Sequence, residues 1–388
     1  MLSGKENSFF YGQKGIVPLA LTFFDGLYKF FCSIEGEKGI FISTSTDLMN
    51  FEDVSIFLEE TSVGGASAYV KNEKIYFFYS DKCGKIRSAT LDKLGNVLEY
   101  PLPMVNRKGL YDPKIFYESN KFYLLCCDKK GSIYLYESEN LIDFNLSTYF
   151  KVSGTFSLCC PSIHRMGEQW AFFYEENGWV KYQKAILDFD NRKILLDGKK
   201  LLLDNTSSPR ISALSDGRTI MACLNNGRLV FREIWGKEGK ICLFPLSEIR
   251  SKRIITDSFE FSEKRKFKFE VTGGDNISVD IILDSSENIK TNIFFGENTV
   301  YPEYLWLNNQ DKNAVLFTGN PRPILTKRDY FEEEFQFEIY LFEEVIEVYL
   351  KKSGMVLSSI NPFKGEKNAF LQFVDQSKLS GKVVVYSI

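Results

Sequence analysis

Hydrophobic and polar residues alternate with a period of two along most of this chain, which is the pattern of half-buried β-strands. Short apolar runs rich in aromatic and β-branched residues are separated by turns that contain Gly, Asn, Asp or Ser. Helical periodicity is weak, and the pattern predicts no long helix in residues 1–242. We therefore expect an all-β fold.

One unit recurs five times in the first 242 residues. It consists of a turn, an aromatic-rich strand, a second turn and another strand. Its anchor residues, spaced 48, 47, 47 and 50 positions apart, are Tyr28, Tyr76, Tyr123, Trp170 and Ile220. Repeats of this length built from short strands are typical of β-propellers, in which each repeat forms one four-stranded blade. The spacing predicts a five-bladed β-propeller.

The repeat stops near residue 242, but the alternation of hydrophobic and polar residues continues. From about residue 256, short strands separated by Gly, Asn and Asp turns predict an antiparallel β-sandwich. We expect a propeller in residues 1–242, a linker in 243–255 and the sandwich in 256–388. Residues 339–354 are predicted to form a hairpin or a long bent strand that ends at the Ser353–Gly354 turn.

Charge and composition narrow the classes of function. The net charge is −3 with both signs interspersed, which argues against a nucleic-acid surface. No apolar run approaches the ~20 residues needed to cross a bilayer, and the first residues lack an apolar signal core. The eight cysteines lie mostly in apolar runs without a CxxC pair, which is typical of reduced thiols. A cytoplasmic protein is expected, a secreted mature form stays open, and no oligomeric state is predicted.

Candidate chemistry lies where the first strand of each repeat begins. Proline marks that position in four repeats, and Ala66 takes its place in the second. Proline is tolerated at the first position of a strand, where no ladder N–H is needed. Because the first strand of a propeller blade is innermost, the residues before these positions should ring one mouth of the central channel. The predicted ring is Val17, Gly65, Asp112, Cys160 and Ser208, preceded by Ile16, Gly64, Tyr111, Cys159 and Ser207.

Further acids lie in the turns between the second and third strands, which should open on the same mouth. They are Glu35, Glu37, Asp81, Asp128, Glu175 and Glu176. Polar residues are common in tight turns for structural reasons, and Asp-Pro is itself a frequent turn pair. A structural role therefore stands beside a chemical one for each of these acids and for Asp112.

Several segments, in order, resemble glycoside hydrolase family 32, which includes invertases, levanases and sucrose-6-phosphate hydrolases. They are STSTDLMNFED, VGGASAYV, YDPKIF, CCPSI, SDGRTIMACL and FPLSEIRSKR. The resemblance implies a propeller followed by a sandwich, and a small carbohydrate as ligand. It also implies that Val17 stands where the family has its nucleophilic Asp and that Cys159 stands where it has its acid/base Glu. Asp112 matches the Asp that stabilises the transition state.

These two replacements lead to the main hypothesis. Retaining glycoside hydrolysis needs a nucleophilic carboxylate and an acidic carboxyl group ~5–5.5 Å apart, and valine can neither attack nor ionise. We therefore expect a sugar-binding protein without the usual β-fructofuranosidase activity. Its pocket is predicted to contain Asp112, with Tyr111, Gly65, Ser67, Cys160, Ser208, Glu175 and Glu176 as substrate-binding candidates. Two alternatives stay open. One is an active glycosidase or glycosyltransferase with relocated acidic residues, and the other is a structural or assembly protein that binds its partner through the sandwich.

Other sites have weaker support in the sequence. His164 is the single histidine, and its odd separation from Cys159 along a strand predicts opposite faces for the two side chains. A Cys/His nucleophilic pair is therefore not expected. Neither the cysteines nor His164 has the spacing of a metal site, so no metal and no cofactor is predicted.

Overall fold

The computed structural model describes residues 9–60, 64–105, 107–155, 157–237, 239–264, 266–271, 276–284, 290–295, 303–308, 313–317, 324–325, 336–342, 345–360, 367–373 and 379–388. The chain forms two compact units. The first contains Met1–Leu202 and Thr206–Ile241, and the second contains Leu203–Asn205 and Cys242–Ile388. No helix in these ranges is long and apolar enough to span a membrane.

The first unit is built from short strands that follow the repeats. The first two repeats contain β1 (Phe9–Phe10), β2 (Ile16–Phe24), β3 (Leu27–Ile34), β4 (Ile40–Ser45), β5 (Asn50–Leu58), β6 (Ala66–Lys71), β7 (Lys74–Ser80), β8 (Ile86–Leu91) and β9 (Val97–Pro103). The third and fourth contain β10 (Leu110–Glu118), β11 (Lys121–Asp128), β12 (Ser132–Ser138), β13 (Asn145–Lys151), β14 (Cys159–Met166), β15 (Gln169–Glu176), β16 (Trp179–Asp188), β17 (Lys193–Leu196) and β18 (Leu201–Asp204). The fifth contains β19 (Ser207–Ala213), β20 (Thr219–Asn225), β21 (Arg228–Lys237) and β22 (Lys240–Phe244).

These strands form a β-propeller arrangement with four separate blades, so the expected count of five is wrong. The blades have the strand orders β1-β5-β4-β3-β2, β6-β7-β8-β9, β10-β11-β12-β13 and β19-β20-β21-β22. Strands β14–β16 of the fourth repeat do not close as a blade of their own, because their sheet continues into β18. The last residues of β18 belong to the second unit, where Asp204 pairs in parallel with Val356.

The first strand of every repeat nevertheless occupies the same place. Strands β2, β6, β10, β14 and β19 each contact the next, and β19 contacts β2. These five strands therefore surround a common centre, and their starting residues come together at one end.

Aromatic side chains fill the space between neighbouring repeats. The rings of Phe31 and Phe77, from repeats one and two, have centroids 4.5 Å apart. A second cluster joins repeats two and three through Phe78 and Leu124, and a third joins repeats three and four through Leu125 and Phe172. Aromatic residues at the alternate positions of each strand thus form the core, as their β-propensity and large buried area favour.

The second unit is also all-β and of β-sandwich type. Its strands are β23 (Ile254–Lys264), β24 (Lys266–Val271), β25 (Ile277–Leu283), β26 (Lys290–Phe295), β27 (Glu303–Asn308), β28 (Asn313–Phe317), β29 (Ile324–Leu325), β30 (Gln336–Leu341), β31 (Val345–Leu350), β32 (Met355–Ile360), β33 (Lys367–Phe373) and β34 (Leu379–Ser387). They follow the orders β32-β31-β30-β25-β34-β23 and β24-β33-β26-β27-β28-β29. A short helix, α1 (Ser247–Ser251), precedes them.

The predicted turn at Ser353–Gly354 is confirmed. Strands β31 and β32 pair as an antiparallel hairpin with Leu350 opposite Met355. Glu347 on β31 is fully buried and accepts a hydrogen bond from the Tyr349 hydroxyl at 2.9 Å, so it is a core residue of this sheet and not part of a solvated face.

Candidate functional site

The first strands of repeats three, four and five begin with the same backbone irregularity. Their pairing with the second strand shifts between Tyr111 and Lys114, between Cys159 and Ser162, and between Ser207 and Arg210. The first residue inside each shift is Asp112, Cys160 or Ser208, and its φ is +52°, +55° or +52°. Such bulges re-aim side chains and are common next to functional sites. The shared geometry brings these three residues to one end of the propeller.

The first repeat departs from this geometry. Its shift falls between Pro18 and Ala20, so Leu19 lies inside the shift, while Val17 pairs with Ser33 as an ordinary strand residue. A β-branched residue is strongly disfavoured at positive φ, so valine suits this extended backbone. The local structure at Val17 therefore differs from that at Asp112, although the two align in sequence.

The buried Asp112 carboxylate receives its hydrogen bonds from three other parts of the chain. Its Oδ1 accepts the Gly65 N–H at 2.5 Å and lies 3.2 Å from Nη2 of Arg210. Its Oδ2 accepts the Cys160 N–H at 3.0 Å, and the Cys127 Sγ is 3.8 Å away. A carboxylate has about four acceptor positions, so three nitrogen donors and one weak thiol donor occupy them. Asp112 thus connects repeats two to five.

Arg210 completes this network and was not predicted from the sequence. It is 9% exposed, and its Nε–H donates to the Pro18 carbonyl at 3.3 Å. Burial acts to lower the pKa of Arg210, but nearby acidic groups, including Asp112, raise it above its usual value. A Cβ at Gly65 would lie 2.3 Å from the guanidinium carbon, so only glycine allows this approach. The available signal was a charged residue directly after Pro209 at a strand start.

Glu175 lies beside the two adjacent cysteines of β14. Cys159 is its cross-strand partner, and the Cys160 Sγ lies 4.0 Å from Glu175 Oε2. The same Oε2 accepts the Ser208 N–H at 2.7 Å, which holds the carboxylate toward the cysteines. The two thiols and this carboxylate have one ligand atom each within 4.8 Å of one another. Sequence spacing alone missed this group because Glu175 comes from the neighbouring strand.

Glu176 has a different environment, although it follows Glu175 directly. It is buried, and its carboxylate contacts Lys181 Nζ at 2.6 Å and Lys200 Nζ at 3.5 Å. Burial acts to raise the pKa of Glu176, but the hydrogen bond and charge of Lys181 and the charge of Lys200 lower it overall. Its carboxylate is therefore held in an ion-pair cluster.

A pocket of about 600 Å³ opens beside these groups. Its lining includes Tyr111, Asp112, Cys127, Lys129, Cys159 and Glu175. Tyr111 is partly exposed, and Lys129 Nζ lies 5.5 Å from its ring centroid. The volume lies within the ~300–1,000 Å³ typical of small-molecule sites. The described residues that line this pocket do not include six of the predicted site residues, which are Val17, Gly65, Ser67, Cys160, Glu176 and Ser208.

Three other candidates make hydrogen bonds to the backbone. The buried Ser67 hydroxyl accepts the Ile115 N–H at 3.1 Å and thereby joins repeats two and three. Asp128 Oδ1 accepts the N–H groups of Lys130 and Ser132 at 2.9 and 3.0 Å, which closes its turn. Asp81 closes the corresponding turn of the second repeat in the same way. These turn acids are structural in the described contacts.

A small cavity of about 20 Å³ lies below the ring and includes Asp112, Lys114 and Arg210 in its lining. Lys114 Nζ donates to the Ile211 carbonyl, and burial together with the charge of Arg210 lowers the pKa of Lys114 to about 7.

His164 is buried with its ring 6.0 Å from that of Phe173. Burial and the charge of Lys114 place the pKa of His164 well below its usual value. Both residues belong to the interior of the propeller.

Comparison with known proteins supports a family for this architecture. Residues 18–193 match the family model described as the glycosyl hydrolases family 32 N-terminal domain. No curated protein matches the sequence.

Solved structures match over nearly the whole chain. Sucrose-6-phosphate hydrolase from Lactobacillus gasseri is 15% identical, with a TM-score of 0.77 over 97% of this chain and 92% of that one. A mutant of a GH32 β-fructofuranosidase from Bombyx mori in complex with sucrose is 15% identical, with a TM-score of 0.75 over 98% and 93%. Exo-inulinase from Aspergillus awamori is 14% identical, with a TM-score of 0.76 over 98% of both chains.

At these identities the structural matches establish the shared fold, while the family model identifies the sequence group. Both point to the same family, and both cover the repeats that carry Asp112, Cys159 and Glu175. Residues 18–193 are therefore similar to the N-terminal domain of glycosyl hydrolase family 32, and the chain shares the fold of solved structures from that family.

Proposed function

We propose that this protein binds a small carbohydrate with a fructosyl unit in the pocket beside Asp112 and lacks the usual β-fructofuranosidase activity. The observation that carries the proposal is the pocket of about 600 Å³, which has Asp112 and Glu175 in its lining. The Bombyx mori structure in complex with sucrose supports a sugar as the class of ligand.

The pocket supplies the contacts that a sugar requires. Glu175 offers carboxylate oxygens to hydroxyl groups, Lys129 offers an ammonium donor, and Tyr111 offers a ring and a hydroxyl. Asp112 already accepts three nitrogen donors, and its fourth acceptor position is occupied only by the weak Cys127 thiol donor. A sugar hydroxyl would most easily donate to Asp112 at that fourth position. In this proposal Asp112 shapes the site and Glu175 makes the strongest polar contact with the ligand.

The absence of hydrolysis follows from the residues that replace the two catalytic carboxylates in the family pattern. Valine at position 17 has no group that attacks an anomeric carbon. Position 159 carries a thiol, and a thiol is intrinsically a weaker proton donor than the carboxylic acid of the family pattern. Binding without turnover is the expected behaviour.

Glu175→Gln is expected to weaken the binding of sucrose or a short fructo-oligosaccharide by about tenfold, because a charge-assisted hydrogen bond contributes on the order of 1.4 kcal/mol more than a neutral one. Isothermal titration calorimetry of the purified protein measures this directly. Glu176→Gln is the matched control, since its carboxylate contacts Lys181 and Lys200, and affinity should stay unchanged. Wild-type protein that binds none of these sugars would refute the proposal.

One observation favours a second candidate, an active glycosidase or glycosyltransferase. Glu175 lines the same pocket as Asp112, so two carboxylates remain near each other despite the changes at Val17 and Cys159. Turnover of any glycoside in a broad panel, lost in Glu175→Gln, would establish this candidate. Binding without turnover in the same panel supports the first proposal.

Restoring both family carboxylates is expected to create fructosidase activity. The variant Val17→Asp/Cys159→Glu should hydrolyse sucrose at a measurable rate. The wild type and each single variant should show no hydrolysis, because the retaining reaction needs both a nucleophilic carboxylate and an acidic carboxyl group. Release of reducing sugar is the assay, and circular dichroism confirms folding. A folded double variant without activity would mean that the shifted bulge at Pro18 has moved position 17 away from a productive geometry.

A further inference from the structure

We propose that Cys159, Cys160 and Glu175 form a binding site for Zn²⁺ with one coordination position open to the pocket. This inference goes beyond the proposed sugar binding and does not depend on it. It rests on three ligand atoms, from two thiols and one carboxylate, that lie within 4.8 Å of one another.

The distances are close to those of a tetrahedral zinc site. With Zn–S bonds of about 2.3 Å and Zn–O bonds of about 2.0–2.2 Å, neighbouring ligand atoms are roughly 3.5–3.8 Å apart. The Cys160 Sγ and Glu175 Oε2 are already 4.0 Å apart. Small side-chain movements therefore bring all three atoms to bonding distance without a change in the strands.

The donor set selects the class of metal. Thiolates favour Zn²⁺ and other thiophilic ions over Mg²⁺ and Ca²⁺, which prefer oxygen ligands. Three protein ligands with one free position are typical of zinc sites that bind water or a small molecule. Here Cys159 and Glu175 line the pocket of about 600 Å³, so the fourth position faces a space that accepts a ligand.

Surrounding groups hold the ligands in place, as outer-shell contacts do in metal sites. The Ser208 N–H donates to Glu175 Oε2 at 2.7 Å, and the Cys160 N–H donates to Asp112 Oδ2 at 3.0 Å. The Arg210 guanidinium lies 3.2 Å from the other oxygen of Asp112, so the carboxylate that holds the Cys160 backbone is itself fixed.

Zinc titration of the full chain tests the site. Protein stripped of metal and kept reduced with a phosphine is titrated with ZnCl₂ in competition with a chromophoric chelator at neutral pH. We expect one tightly bound zinc per chain. Cys159→Ser and Glu175→Gln should each weaken zinc binding, the cysteine variant by at least roughly 100-fold.

Two controls separate this site from adventitious binding. Cys83→Ser removes an exposed thiol that lies outside the cluster and should leave the affinity unchanged. Cd²⁺ in place of Zn²⁺ should produce a sulfur-to-metal charge-transfer band that Cys159→Ser diminishes.

Thermal unfolding of each metal-free variant shows that the fold is intact. Zinc binding that is absent in folded wild-type protein, or that survives Cys159→Ser and is lost in Cys83→Ser, would overturn the proposal. Sugar calorimetry on the metal-free protein is independent, so failure of one proposal leaves the other testable.

Discussion

Asp112→Asn is expected to lower the free energy of unfolding by about 3–5 kcal/mol. The substitution removes the negative charge that faces the buried Arg210 guanidinium, 3.2 Å from Oδ1. It also replaces one oxygen by an NH₂ group, which accepts no hydrogen bond, so either the Gly65 N–H or the Cys160 N–H loses its acceptor. Asparagine tolerates the φ of +52° at this position. The lost stability is therefore due to the broken side-chain hydrogen bonds and ion pair and not to backbone strain.

Chemical denaturation with guanidinium chloride measures this loss. Asp128→Asn is the matched control, because asparagine keeps the oxygen that closes the turn at Lys130 and Ser132, and it should cost less than about 1 kcal/mol. Adding Arg210→Met to Asp112→Asn should recover part of the loss, since the unpaired buried cation is then gone. A loss below about 1 kcal/mol for Asp112→Asn alone would mean that water replaces the carboxylate around Arg210.

The repeat could be predicted from the sequence because it depends on patterns between residues that are close together along the chain. The spacing of aromatic anchors, the glycine turns and the strand-start prolines all follow from the needs of short twisted strands. The number of separate blades could not be predicted, because it depends on one long-range pairing. Leu201–Asp204 is a short apolar run like many other strands of the chain, and nothing in its sequence specifies the parallel pairing of Asp204 with Val356.

The candidate site was predictable in its position but not in its contacts. Proline and the residue before it marked Asp112, Cys160 and Ser208, which do share one bulged geometry. The partners of these residues come from other repeats, as in the contact of Arg210 with Asp112 and that of Ser208 with Glu175. Such contacts depend on the angle between repeats, which no local pattern in the sequence encodes.

Lys114→Met is expected to stabilise the protein by about 2–3 kcal/mol at pH 7 or below. A pKa lowered from 10.5 to about 7 corresponds to a cost of roughly 4–5 kcal/mol for keeping the ammonium charged in the folded state. Relaxation of the surrounding groups reduces that cost, which is why the expected gain is smaller. The Ile211 carbonyl loses the lysine donor but still has His164 as a hydrogen-bonding neighbour.

The pH dependence identifies the cause of this gain. Between pH 7 and 10.5 the unfolded chain binds more protons at Lys114 than the folded chain, so this group adds stability to the wild type as the pH rises. The advantage of Lys114→Met should therefore be largest near pH 7 and shrink toward pH 10. His164 does not contribute in this window, because it is neutral in both states above its ordinary pKa of 6.5.

Lys130→Met, at an exposed turn, is the control variant and should change the unfolding free energy by less than about 0.5 kcal/mol at every pH. A gain for Lys114→Met that is the same at pH 7 and pH 10 would assign the effect to packing of the methionine and not to removal of a buried charge.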